Sequence, residues 1–125
     1  MIAGLDHVQL AMPAGGEAEA VAFFVGVLGF EEEAKPPPLD ERGGCWFASG
    51  ACRLHLGVEA DFRPQSKAHP AFLAPDIDEV AAGLMLAGYP VNWDDALPDR
   101  NRFYTEDPFG NRLEIMCDGD GFTQK

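Results

Sequence analysis

The chain has 125 residues, 46% of them hydrophobic and 24% charged, which is enough apolar material for a buried core and unlike the composition of a disordered segment. Its formal net charge is −12, and so acidic a chain repels phosphate backbones and anionic headgroups, so neither nucleic acid nor a membrane surface is an expected partner. The three cysteines, Cys45, Cys52 and Cys117, are odd in number and form no CxxC pair, so free thiols in a reducing cytoplasm are expected. The start, MIAGLDHVQL, lacks the basic and apolar regions of a signal peptide, and no stretch approaches the roughly 18 apolar residues of a membrane span.

Residues 4–12 alternate: Val8, Leu10 and Met12 share one face, His7, Gln9 and Ala11 the other, as on a strand with two unlike sides. Pro13 and Gly15-Gly16 end it. Residues 17–28 have helical spacing at Ala20, Phe23, Phe24, Val27 and Leu28, with acids in the first turn and Gly29 placed to cap the end. Strands follow around Phe30–Ala34, Cys45–Ala48 and Ala51–Val58, the last two joined at Ser49-Gly50. Residues 59–67 are polar and linker-like. The order then recurs: a strand over Ala68–Ala74, a helix from an N-cap at Asp76 to about Ala87, and strands near Val91–Trp93, Arg102–Glu106 and Arg112–Cys117. The turn Asp107-Pro108-Phe109-Gly110-Asn111 joins the last two. The expected organisation is an α+β chain of two βαβββ modules, 1–58 and 68–125 with a short tail, separated by a linker at 59–67.

The modules match in detail. His7 stands six residues before Pro13, and His69 six before Pro75. Leu28-Gly29-Phe30 mirrors Ala87-Gly88-Tyr89, and Arg53-Leu54-His55-Leu56 mirrors Arg112-Leu113-Glu114-Ile115. His7 to His55 is 48 positions and His69 to Glu114 is 45; His7 to Gly29 is 22 and His69 to Gly88 is 19. Both differences equal three, so one length change accounts for them. The duplication pairs His7 with His69 and His55 with Glu114. Each is a metal-binding residue type, and pseudo-twofold packing of the modules would bring the four to one point. Arg53 and Arg112 share faces with His55 and Glu114, where pairing with carboxylates is the expected role. Of Trp46 and Phe47, adjacent on a strand, only one can face a cavity. Arg102 and Tyr104 share a strand face suited to an anionic or oxygen-rich substrate.

At these residues the sequence resembles the vicinal oxygen chelate superfamily, which includes glyoxalase I, fosfomycin-resistance thiol transferases, extradiol dioxygenases and bleomycin-resistance proteins. The matching segments are LDHVQLAMP, VLGF, RLHLGV, AHPAFLAPDIDEV and RFYTEDPFGNRLEI, of which the DPFGNRLE core is the most specific. The resemblance implies a U-shaped mixed sheet around a central cavity holding one divalent metal ion (Zn, Ni, Fe, Mn or Co). It implies His7, His69 and Glu114 as ligands, with His55 where several members place a further ligand. It also implies a small-molecule substrate and a homodimer. Tyr104 resembles a phosphonate-contacting Tyr of the fosfomycin-resistance enzymes, and Trp46, Arg102 and Tyr104 are the expected substrate contacts. The expected activity is that of a glyoxalase-like lyase, isomerase or thiol transferase with Glu114 as catalytic base. A non-haem iron dioxygenase and a non-enzymatic drug-binding protein are the alternatives.

Overall fold

A computed structural model describes residues 1–118; the tail expected beyond them lies outside the described residues. The chain divides into two compact units, Met1–Pro64 and Gln65–Lys125.

In the first unit, β1 (Val8–Met12), α1 (Glu17–Phe24), β2 (Glu31–Glu33), β3 (Cys45–Ser49) and β4 (Cys52–Val58) follow in order, with a short 3-10 turn at Leu39–Glu41. The sheet order is β1-β4-β3-β2, with β1 parallel to β4 and the other pairs antiparallel. The acidic β2 is therefore an edge strand, where charge is tolerated and discourages pairing with another chain. Met12, Phe24, Phe47 and Leu54 are fully buried and form the centre of this unit's core.

The second unit repeats the order with β5 (Ala71–Ala74), α2 (Ile77–Leu86), β6 (Asn92–Asp94), β7 (Arg102–Glu106) and β8 (Arg112–Cys117). Its sheet runs β5-β8-β7-β6, again with one parallel pair at β5–β8. The whole is an α+β fold of two four-stranded mixed sheets and two helices. Leu84, Phe103, Leu113 and Ile115 are buried behind the second sheet, and α2 starts as expected, with the Asp76 side chain accepting from Glu79 N at 3.1 Å.

Two local expectations are corrected. The regular part of α1 ends at Phe24 rather than running to Leu28. Beyond it the bonds lengthen to five residues, Gly26 N to Val21 O and Leu28 N to Phe23 O, and a Cβ at position 26 would collide with the Ala22 carbonyl. His7 and His69, expected within strands, sit just ahead of them, because the paired ladders begin at Val8↔Leu54 and Ala71↔Glu114. Of the cysteines, Cys45 and Cys117 are buried but Cys52 is exposed, and all three are free. Burial, aided by the charges of Glu32 and Glu17, pushes the Cys45 thiol up to about 11.

Among the described residues no helix is long and apolar enough to cross a membrane.

Candidate functional site

Register carries the duplication into three dimensions. Gln9, two residues after His7, pairs with His55; Ala71, two residues after His69, pairs with Glu114. On the opposite side of each last strand, Trp46 pairs with His55 and Tyr104 with Glu114. Each unit therefore presents three equivalent positions in a row: a lead-in histidine, a central ligand-type residue and an aromatic ring.

In the first unit these positions form a stack. The His55 ring lies 4.1 Å from His7 at an interplanar angle of 20°, and 4.0 Å from Trp46 at 3°. Trp46 is thus the residue of its pair that faces His55, while Phe47 is buried in the core. His55 is itself buried, at 7% exposure, and its pKa is lowered, first by desolvation and then by the neighbouring His7. A neutral imidazole with a free nitrogen lone pair is the form that binds a metal. His7 Nδ1 bonds Asp6 Oδ2 at 2.9 Å, which lowers the pKa of Asp6. Arg53 reaches the carboxylate of Glu33 at 3.4 Å, the structural pairing expected for it. Asp6, His7, Trp46, Arg53 and His55 line an open cavity of about 490 Å3.

In the second unit the same positions form a polar chain. His69 Nδ1 donates to Lys67 O at 2.8 Å, and Nε2 lies 2.9 Å from Glu114 Oε1. Arg102 Nη1 donates to the other oxygen, Glu114 Oε2, at 3.0 Å. Its Nη2 lies 3.4 Å from Asp94 Oδ1, which also accepts from Ala96 N at 2.7 Å. Asp94 is held below the ordinary carboxylate range by that backbone bond and then by the Arg102 charge. Desolvation works against the Arg102 charge, but the bond and charge of Glu114, together with Tyr104 and Asp94, outweigh it and raise its pKa. Tyr104 meets the edge of His69 at 5.4 Å and carries the Arg112 guanidinium over its ring at 4.0 Å. Arg102, expected to meet substrate, is therefore engaged by two carboxylates of its own unit.

His69 and Glu114 are residue types that suit a divalent cation. A carbonyl can only accept, so Nδ1 of His69 carries a hydrogen, and Nε2 faces a carboxylate oxygen. With a hydrogen on Nε2 the contact is an ordinary imidazolium–carboxylate ion pair, and both atoms are also of the kinds that bind a divalent metal. The carbonyl that fixes the tautomer is a common device behind metal-bound histidine. Glu114 is 5% exposed, and the Arg102 guanidinium supplies compensating charge at one of its oxygens. Among the described residues no three His, Cys, Asp or Glu side chains are gathered as a metal-holding group; the four expected ligands occur as two pairs, His7 with His55 and His69 with Glu114.

Sequence reasoning missed Asp94 as the partner of Arg102, and Lys67 as the carbonyl behind His69. The acidic run Asp94-Asp95 was visible, but nothing in it singled out one residue.

The pattern of the Glyoxalase/Bleomycin resistance protein/Dioxygenase superfamily matches residues 4–115, and the chain belongs to that superfamily. A solved structure of a glyoxalase family protein from Bacillus anthracis is 50% identical, with a TM-score of 0.91 over 95% of this chain and 98% of the other. A genomically encoded fosfomycin resistance protein from Listeria monocytogenes has the same fold at 16% identity, with a TM-score of 0.74 over 95% and 96%. A glyoxalase/dioxygenase from Nostoc punctiforme shares it at 20% identity, with a TM-score of 0.70 over 89% of each chain. No protein with a curated description matches the chain.

Proposed function

We propose that the protein is a divalent-metal-dependent enzyme of the glyoxalase type, a lyase, isomerase or thiol transferase acting on a small oxygen-rich substrate. The observation that carries this reading is the His69–Glu114 pair, two ligand-type atoms 2.9 Å apart with the far nitrogen of the ring held by the Lys67 carbonyl. In this reading His69 and Glu114 bind one metal ion with His7 and His55 as the further ligands. A metal so held polarises substrate oxygens and stabilises negative charge on them.

The chain's own groups then have defined tasks. Lys67 O fixes the His69 ring, and Arg102 fixes one oxygen of Glu114 while leaving the other turned to His69. Glu114, if its held oxygen exchanges partners, takes the substrate proton as base. Trp46 offers an aromatic wall beside His55, and Tyr104 one beside His69. The protein works as a homodimer in the cytoplasm, in keeping with its free thiols.

Elemental analysis of purified protein tests the reading. Wild type should retain roughly one divalent ion per chain after dialysis, and His69→Ala should lose most of it, since loss of a ligand typically weakens binding by orders of magnitude. Glu114→Gln should lose turnover. Wild type free of metal after incubation with Zn, Ni, Mn, Co and Fe(II) in turn would refute the proposal.

A further inference from the structure

The cavity beside the His7–His55–Trp46 stack has a neighbour. Gln9, Leu39 and Trp46 line both it and a second cavity of about 280 Å3, so the two adjoin across a shared wall. The charge of the second cavity runs against the chain's composition. Aspartate and glutamate outnumber lysine and arginine 21 to 9, yet the charged residues lining this cavity are Lys35 and Arg42, with no carboxylate among its lining residues. Asp40 and Glu41 precede Arg42 but do not line the cavity. The nearby Glu17 carboxylate is engaged, accepting from Gly44 N at 2.9 Å.

Both cations are placed for use. Lys35 Nζ donates to the carbonyl oxygens of Arg42 and Gly43, which fixes the ammonium and leaves a third N–H. The Arg42 guanidinium has no ion-pair partner among the described residues, so its five N–H donors are available. A Cβ at Gly57 would stand 2.6 Å from Gln9 Nε2, so the end of the Gln9 side chain lies against the β4 backbone there.

We infer that this basic cavity holds an oxyanionic end of the substrate, a carboxylate or phosphonate, while the rest of the molecule extends past Gln9 and Trp46 to the histidine stack. The inference deepens the proposed function and rests on it for what happens at the histidine end. Two cations and a carboxamide, with no competing carboxylate in the wall, favour an anion over a neutral or cationic group.

Amide shift perturbation by NMR on the full chain tests it with phenylphosphonate, benzoate and the neutral benzamide as probes. At least one anion should shift the Gln9, Gly43 and Gly57 amides, and benzamide should not. Arg42→Gln should weaken that binding by roughly tenfold or more, as expected for a lost charge-assisted bond. Lys35→Met should weaken it as well, but it also loosens the loop, so Arg42→Gln is the deciding variant. No shift with either anion, equal shifts with benzamide, or an affinity unchanged in Arg42→Gln would overturn the inference. Metal content measured on the same samples separates the two readings. Anion binding that depends on Arg42 in a protein holding no metal would sink the enzyme proposal and leave this site standing; metal without anion binding would do the reverse.

Discussion

His55 shows how a single residue takes its properties from its neighbours. Its ring is flanked by His7 and Trp46, and burial, followed by the His7 charge, lowers its pKa from the model-peptide value of 6.5. In the unfolded chain the imidazole titrates near that ordinary value, so as pH falls below about 6.5 the unfolded state takes up a proton that the folded state resists. Stability contributed by neutral His55 is therefore present at neutral pH and is lost as pH falls from about 6.5 towards the lower folded value. Urea midpoints measured between pH 7.5 and 5.5 should decline more steeply in wild type than in His55→Phe. Equal slopes would show that the stack does not hold His55 neutral. In the sequence His55 was visible as a ligand-type residue, but the stack that buries it was not, because Trp46 and His7 reach it only through pairing of β4 with both its neighbours.

Turns and caps show the next scale. The turn between β7 and β8 was legible from Asp107-Pro108-Phe109-Gly110-Asn111, a run of residues that favour tight reversal. Its interior was not. Asp107 is buried, and its carboxylate accepts from Phe109 N and Asn111 N at 2.9 Å and from Asn111 Nδ2 at 2.8 Å. Burial raises its pKa even against these donors. Asn111 Oδ1 in turn accepts from Gln65 N at 3.1 Å, and Arg112 N bonds Gln65 O at 2.9 Å, which ties the start of the second unit to β8. The clasp sits between the strands that carry Tyr104 and Glu114. Asp107→Ala should cost about 1–3 kcal/mol of stability by leaving buried donors unpaired, whereas Asp107→Asn should recover part of the loss. Chemical denaturation of the two variants measures this, and a loss within a few tenths of a kcal/mol for Asp107→Ala would show that water replaces the carboxylate. The shortened α1 belongs to this scale too. The apolar spacing continues past Phe24 to Leu28, but the backbone bonds behind it change partner at Gly26, and side-chain periodicity does not report that change.

For the whole molecule, charge and duplication dominate. A net charge of −12 on 125 residues makes the folded chain repel itself, and salt screens that repulsion over a Debye length of about 8 Å at physiological ionic strength. The melting temperature at pH 7 should rise between about 0.01 and 0.15 M NaCl. A fall would mean that attractive pairs such as Arg102–Glu114 and Arg53–Glu33 outweigh the repulsion.

The duplication explains why so much could be read from one chain. Matching landmarks at Pro13 and Pro75, Gly29 and Gly88, and His55 and Glu114 determined two βαβββ modules, their order and the family, since a repeated pattern supplies its own internal check. The sequence also determined which residues are of ligand type, because that depends on side-chain chemistry alone. Only tertiary structure decided what those residues do to one another. Register across β1–β4–β3 stacked His7, His55 and Trp46, and register across β5–β8–β7 set Arg102 against Glu114 rather than open to substrate. The physical reason is that a sheet makes neighbours of residues tens of positions apart, and the angles and distances on which coordination and pairing depend are set by that contact, not by the spacing that foretells it.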